Sequence, residues 1–460
     1  MQSLYKYKTH LKINYSTLLF PAFFLLLGLG SCKKYLDKQS DQTLSVPSTL
    51  GDCQLLLNNM ITFNMKTSGM GELLSDNFTV ASYNTWSTYF NAETKAAYIF
   101  EPQVNSPVST WLHYESVFHA NVVLETLEGI TPANAVEQTT WNNLRGAALF
   151  FRGYAFYQLS QLFAPAYDAA TAGQDLGIPL RLKSDVSEES VRANVQSTYD
   201  RIIADLTEAT ELLPTTAEHI TQPNKAAAYG MLSRTYLMMR NYPSALQNAT
   251  KSLTEKNTLL DFNLITSFVK YNNPEVLCHI GGGGELLNAI YGRVAPSFYN
   301  SYAANDRRPA LFFKSSPGGT YSIAGSYTGE YAVLLGGAAV DEMYLTRAEC
   351  HARAGNKDLA LTDLNTLLRK RYNASFVDVT AATPEAALDI ILTERRKELV
   401  YRNIRWSDIK RLNKEGRNIV LTHGFPDNAA TYSLQPNELR YTLLIPKDVM
   451  DKSNITQTPR

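Results

Sequence analysis

Between residues 142 and 163 the chain carries apolar residues on two faces of one helix. Leu144, Ala148, Phe151, Ala155, Leu159 and Leu162 recur at three- and four-residue steps, and Ala147, Phe150, Tyr154 and Tyr157 mark a second stripe. A helix that is apolar on both sides has no face to give to water, so partners must enclose it. This segment belongs at the centre of a helical stack. The periodicity predicts further helices over 111–127 and 197–213. The second presents Tyr199, Ile202, Ile203, Leu206, Ala209 and Leu213 on one face and is stopped by Pro214.

Two stretches align at a constant offset, AAYGMLSRTYLMMRNYPSALQNATKSL (227–253) and DEMYLTRAECHARAGNKDLALTDLNTLL (341–368). Tyr229 falls with Tyr344, Ser233 with Ala348, Asn241 with Asn356, Ala245 with Ala360 and Leu253 with Leu368. Each reads as helix, tight turn, helix. An aromatic early in the first helix and small residues where the two helices cross are the packing positions of a tetratricopeptide unit, which repeats about every 34 residues. The fold class is therefore mainly α, with tetratricopeptide-like helix pairs, irregular inserts and a few short strands.

The inserts lie between these helices. Residues 75–103, 256–340 and the tail from 414 to 460 are polar, Gly- or Pro-rich and aromatic, with Gly281 to Gly284 reading as a flexible turn. Loops on a rigid scaffold are where binding groups gather. After Thr383 as N-cap and Pro384 in the first turn, a last long helix is expected through ALDIILTERRKELVYRN.

No catalytic pattern emerges. The 7 histidines show no His-Glu-x-x-His spacing, and there is no Gly-x-Ser-x-Gly elbow. Glu394 and Glu398 sit one turn apart but are interleaved with Arg395, Arg396 and Lys397, which reads as a salt-bridged helix face. The 4 cysteines have no metal-site spacing. With 43 Lys+Arg against 43 Asp+Glu there is no basic field for nucleic acid. The expectation is a protein that is not an enzyme, with no catalytic residue and no metal ligand.

What stands out is 27 Tyr, 19 Phe and 4 Trp in a charge-neutral chain. Sugar rings offer an apolar face to an aromatic ring and a fringe of hydroxyls to Asn, Gln, Asp or Arg. Trp111, Trp141 and Trp406 read as helix residues, the first two at helix starts. Trp86 is left over in SYNTWSTYF, so Trp86, Tyr83, Asn84 and Tyr89 are candidate ligand contacts. Tyr299, Tyr302, Tyr321 and Tyr327 are a second, weaker candidate group, with Tyr299 and Tyr321 taken as its candidate contacts.

The N-terminus bears Lys6, Lys8 and Lys12, then an apolar run, LLFPAFFLLLGLG, too short to span a bilayer. Leu29-Gly30-Ser31-Cys32 follows, which resembles a bacterial lipobox. On that resemblance residues 1–31 are a removed signal and Cys32 carries the lipid, the one covalent group implied and the membrane anchor. Residues 32–49 would then be a tether and 50–460 one domain, its helical scaffold at about 111–255 and 341–413.

Taken in order, SCKKYLD, YESVFHANVVLETLEGI, GAALFFRGYAFYQLSQLFA with LGIPL, YDRIIADLTEATELLP, the RAECHARAG pair, ERRKELVYRNIRWSDIKRLN and LLIPKDV resemble the SusD/RagB family of starch-binding-like outer-membrane lipoproteins. The resemblance implies a non-catalytic, surface-exposed lipoprotein of the outer membrane. It would capture oligosaccharide, or in some members peptide, and act as the lid of a SusC-like TonB-dependent transporter. It also carries over Arg405, Trp406 and Asp408 as structural residues. Asn403 stands where the family often has Gly, and Asn tolerates the left-handed backbone such a turn needs. The ending NITQTPR is only loosely similar to the family's Asn-Pro-x-x-Gln-Asn-Pro. The alternative function is a helical-repeat scaffold lipoprotein that binds a peptide or protein.

Overall fold

The computed structural model describes residues 47–460 except Val104, Glu285 and Leu286. The expected signal, Cys32 and the tether as far as residue 46 lie outside the described residues. Helix α1 (Leu50–Leu57) opens on a capping box, in which Thr49 Oγ1 accepts from the Asp52 amide while the Asp52 carboxylate accepts from the Thr49 amide. Next come α2 (Met60–Phe63), α3 (Met70–Leu73) and strand β1 (Phe78–Val80). The 75–103 stretch is more ordered than its composition suggests. It holds two short helices, α4 (Tyr83–Tyr89) and α5 (Ala92–Tyr98), started by the side-chain caps Ser82 and Asn91.

Helix α6 (His113–Glu128) and the long α7 (Ala135–Phe163) form the first packed pair. Asn134 caps the amides of Val136 and Glu137, so α7 starts earlier than its apolar pattern does, and Trp141 lies inside the helix rather than at its start. From Leu144 to Phe163 every residue except Arg145 and Ala147 is buried, as the two stripes require. Strands β2 (Leu176–Pro179) and β3 (Arg192–Asn194) lead to α8 (Val195–Leu212), which also packs on α7. That crossing is close: a Cβ at Gly153 would stand 3.0 Å from Leu206 Cγ.

The two look-alike segments fold as helix pairs, α9 (Lys225–Met238) with α10 (Tyr242–Glu255), and α13 (Val340–Arg353) with α14 (Lys357–Leu368). Between the pairs run β4 (Gly281–Gly283), β5 (Gly292–Val294), α11 (Pro296–Tyr299), α12 (Arg308–Phe312), β6 (Phe313–Ser316), β7 (Thr320–Ile323) and β8 (Val333–Leu335). The crossing residues Ser233, Ala245, Ala348 and Ala360 are all 0% exposed. Arg240 and Gly355 occupy equivalent turn positions with φ of 59° and 79°. Although far apart in sequence, the pairs are neighbours. Helix α10 packs on α13, and the Arg234 guanidinium on α9 grips Glu342 on α13 at 2.7 and 2.6 Å.

Gly281–Gly283 is no flexible turn. It forms β4 and pairs with β8, and the glycines admit the backbone of residues 65–69, since a Cβ at Gly69 would sit 1.6 Å from the Gly283 carbonyl oxygen. The strands form antiparallel two-stranded ladders, β1 with β5, β2 with β3, β4 with β8, β6 with β7, and β9 (Leu421–Phe425) with β10 (Asn428–Leu434). The last hairpin falls in the 414–460 tail, expected to be irregular. Pro426 and Asp427 instead make its turn.

The helix expected through Asn403 stops at Glu398, and a separate helix follows it. Helix α15 (Pro384–Glu398) is capped by Thr383 as expected, then Tyr401 and Asn403 turn left-handed at φ of 60° and 55°, and α16 (Arg405–Lys414) follows. Asn403 thus adopts the conformation anticipated for it. A short α17 (Lys447–Met450) precedes the C-terminal segment. There Gln457 accepts from the Ile445 amide at 2.7 Å and Thr458 Oγ1 donates to the Leu443 carbonyl at 3.1 Å, so the altered ending still docks.

Glu394 and Glu398 are ion-paired but buried, and their chief partners come from elsewhere in the chain. Arg308 reaches both, and Arg371 binds Glu398 at 2.6 Å. Of the three interleaved cations only Lys397 pairs within the helix, with Glu394, while Arg395 turns to Asp408 and Arg396 to Asp76. The sequence could not show this, because a helix face rich in both signs looks alike whether water or other helices cover it. Among the described residues no helix is long and apolar enough to cross a membrane.

Candidate ligand-binding face

The Ser82 cap fixes α4 so that Tyr83, Trp86 and Tyr89 project from it. Trp86 is half-buried. Its Nε1 donates to the Lys95 carbonyl at 3.1 Å, and its ring lies 5.3 Å from Tyr83 and 5.1 Å from Phe425 of β9. Tyr83, 41% exposed, meets the edge of Phe425 at 5.2 Å, and its amide donates to Asp427 Oδ1 at 2.7 Å, tying α4 to the hairpin tip. Asn84 is exposed and its Oδ1 accepts from Thr88 Oγ1 at 3.4 Å.

Tyr89, 61% exposed, leans on Tyr291 at 5.6 Å. The loop before Tyr291 is held by Tyr331, whose hydroxyl accepts from the Ala289 amide at 2.8 Å while half of the residue stays exposed. Four distant segments therefore contribute rings to one surface, with Trp86 and Phe425 beneath, Tyr291 half-buried and Tyr83, Tyr89 and Tyr331 open to solvent. Tyr291, Tyr331 and Phe425 were not singled out by sequence. The Gly- and Tyr-rich stretch around Tyr331 was the available signal.

Tyr299 and Tyr321 lie against each other, centroids 3.5 Å apart and 10° from parallel, so each has one face covered by the other. Burial and the Tyr321 hydroxyl push the Tyr299 hydroxyl up to about 12. Tyr302 and Tyr327 have structural partners: Tyr302 donates to the Lys397 carbonyl at 2.8 Å, and Tyr327, 2% exposed, lies 3.0 Å from both Glu275 and Glu398.

Arg405, Trp406 and Asp408 stand away from the aromatic surface rings just described, in the buried frame. Arg405 pairs with Asp76, Trp406 stacks on Tyr441 at 4.9 Å, and Asp408 lies between Arg395 and Arg411. The buried carboxylates Glu275, Asp341 and Glu398 approach within 4.8 Å of one another. Arginines hold all three: Arg371 binds Glu275 and Glu398, and Arg402 binds Asp341 at 2.9 Å. Their oxygens are thus engaged by guanidinium groups. Cys53, Cys278 and Cys350 are buried free thiols.

Two family profiles match the sequence. One, described as "Starch-binding associating with outer membrane", covers residues 34–237, and the other, the SusD family, covers 341–454. The chain belongs to the SusD/RagB family. Solved SusD-like structures share its fold. A SusD superfamily protein from Bacteroides thetaiotaomicron superposes with a TM-score of 0.75 at 21% identity, over 90% of this chain and 100% of that one. A SusD-like carbohydrate-binding protein from Bacteroides vulgatus gives 0.65 at 20% identity, over 88% and 96%. A laminarin-binding SusD-like protein gives 0.65 at 16% identity, over 90% and 100%. A search of curated proteins gives no match. The SusD-like scaffold accounts for the mainly α architecture and for the helix pairs read from sequence.

Proposed function

We propose that this SusD-like protein captures oligosaccharide on the surface formed by Tyr83, Tyr89, Tyr291 and Tyr331, and delivers it to a SusC-like TonB-dependent transporter over which it acts as a lid. It works without catalysis, held at the outer membrane by lipid on Cys32 and facing the exterior. The observation that carries the reading is the gathering of the exposed rings Tyr83, Tyr89 and Tyr331 and the half-buried Tyr291 onto one face, braced from below by Trp86 and Phe425. Such rings stack on the apolar face of sugars at about 1 kcal/mol each. Family membership supports the outer-membrane setting, and two of the similar structures are of carbohydrate binders.

A second reading, capture of peptide or protein, is favoured by an apolar groove beside α6. Trp111, Tyr114, Phe118, Val186 and Val449 line it, and Phe118 and Val186 are exposed. The test is purification of tagged full-length protein from outer membranes in mild detergent. Co-purification of a large β-barrel supports the lid reading, and recovery without one overturns it.

A further inference from the structure

The aromatic face is electrically lopsided. At its Tyr83 end the acid is Asp427, engaged by the Tyr83 amide. At its Tyr331 end stand two cations. Lys314 of β6 is exposed and holds its ammonium 4.6 Å over the Tyr331 ring, with no carboxylate partner among the described residues. Arg293 of β5 donates through Nη1 to the carbonyls of Ala289 and Gly292 at 2.7 and 2.8 Å, and its Nε and Nη2 have no partner among the described residues. Glu330, the residue before Tyr331, is already paired with Lys270 at 2.8 Å.

The two cations converge on one loop. Arg293 binds the carbonyl of Ala289, and Tyr331, under Lys314, accepts from the amide of that same residue. Desolvation lowers the Arg293 pKa and no carboxylate pairs with it among the described residues, so an arriving anion would gain more from it than from a guanidinium already in an ion pair. A ring stacked on Tyr331 brings its substituents beside Lys314 and the loop that Arg293 binds.

We infer that this face selects anionic oligosaccharide, with Arg293 and Lys314 taking a carboxylate or sulfate on a sugar that stacks on the neighbouring tyrosines. The inference rests on the glycan-capture reading and names its substrate class. Lys314 is the better probe, because Arg293 also supports the loop.

The experiment is calorimetric titration of the chain from Lys33 onward with matched pairs. Oligogalacturonate is compared with its carboxyl-reduced form, and a sulfated galactan oligosaccharide with its desulfated form. The anionic member of one pair is expected to bind more tightly, and that pair identifies the group. The ratio of affinities within it falls about tenfold in Lys314→Met and shrinks as salt is raised. Equal affinity within both pairs, or a ratio unmoved by Lys314→Met, overturns the inference and leaves glycan capture standing. Failure of every oligosaccharide, charged or neutral, counts instead against the glycan reading itself.

Discussion

Asp76 and Arg405 meet through two parallel bonds, Nε to Oδ1 at 2.7 Å and Nη2 to Oδ2 at 2.8 Å. The pair joins the segment just before β1 to the first residue of α16, and Arg396 of α15 adds an ion-pair contact to the same carboxylate at 3.2 Å. Arg405 is thus a joint between the N-terminal segment that leads to the aromatic face and the C-terminal helices.

Burial raises the Asp76 carboxyl, but Arg405 and then Arg396 outweigh it and hold the group at about 2, against 3.8 unperturbed. A carboxylate held low stabilises the fold above its unfolded pKa, and that contribution disappears as pH falls from about 4 to about 2. Asp76→Ala leaves two guanidinium groups without their anion, and a loss of about 3 kcal/mol is expected at pH 7. Thermal unfolding followed by circular dichroism checks this. Equal melting temperatures at pH 7 would show the joint to be dispensable.

Glu72 on α3 behaves in the opposite sense. Burial dominates and pushes its carboxyl from 4.5 up to about 7, although its Oε1 accepts from the Asn403 amide at 2.9 Å. Between these values the folded protein keeps a proton that the unfolded chain has released, so stability falls as pH rises through the window. Glu72→Gln retains an acceptor for Asn403 and removes the charge. The variant is expected to be the more stable protein at pH 8 by about 2 kcal/mol, with the advantage fading toward pH 4.5. Parallel unfolding curves at both pH values would contradict it.

Trp86 and Tyr89 lie on one helix but have different work. Trp86 packs between Tyr83 and Phe425 and bonds Lys95, so Trp86→Ala is expected to lower the melting temperature as well as weaken ligand binding. Tyr89 is open to solvent, and Tyr89→Ala should weaken binding about fivefold, roughly 1 kcal/mol, with the melting temperature held. Measuring both properties on both variants separates support from contact. Trp86→Ala with wild-type stability would undo the assignment.

The scaffold was legible where period and packing agree. The double stripe over 142–163 placed α7 at the centre, and the aligned small residues found both helix pairs. The aromatic surface was only half legible. Tyr83 and Tyr89 showed as exposed rings in a polar stretch, but their relation to Tyr291, Tyr331 and Phe425 depends on β1 pairing with β5 and on a hairpin that sequence read as tail. Long-range pairing of three-residue strands leaves almost no periodic trace. The same limit hid the partners of Glu398, since Arg308 lies on α12 and Arg371 in the turn after α14.

Those partners carry a prediction of their own. Arg371 is fully buried and bonds Glu275 and Glu398 together, so Arg371→Met leaves two carboxylates facing each other in the core. A loss of about 3–5 kcal/mol is expected in urea unfolding. A loss under about 1 kcal/mol would mean that this ionic layer does not hold the helices together.

The central claim is that the rings on this face hold glycan. Its most direct test is calorimetric titration of the chain from Lys33 onward, wild type and Tyr89→Ala/Tyr331→Ala, with a panel of oligosaccharides and a panel of peptides. The expected result is oligosaccharide binding by the wild type and its loss in a double variant that keeps the helical circular dichroism of the folded chain, with a melting temperature lowered only by the lost Tyr331–Ala289 bond. Oligosaccharide binding that survives the double variant, or binding of peptides alone, would contradict it.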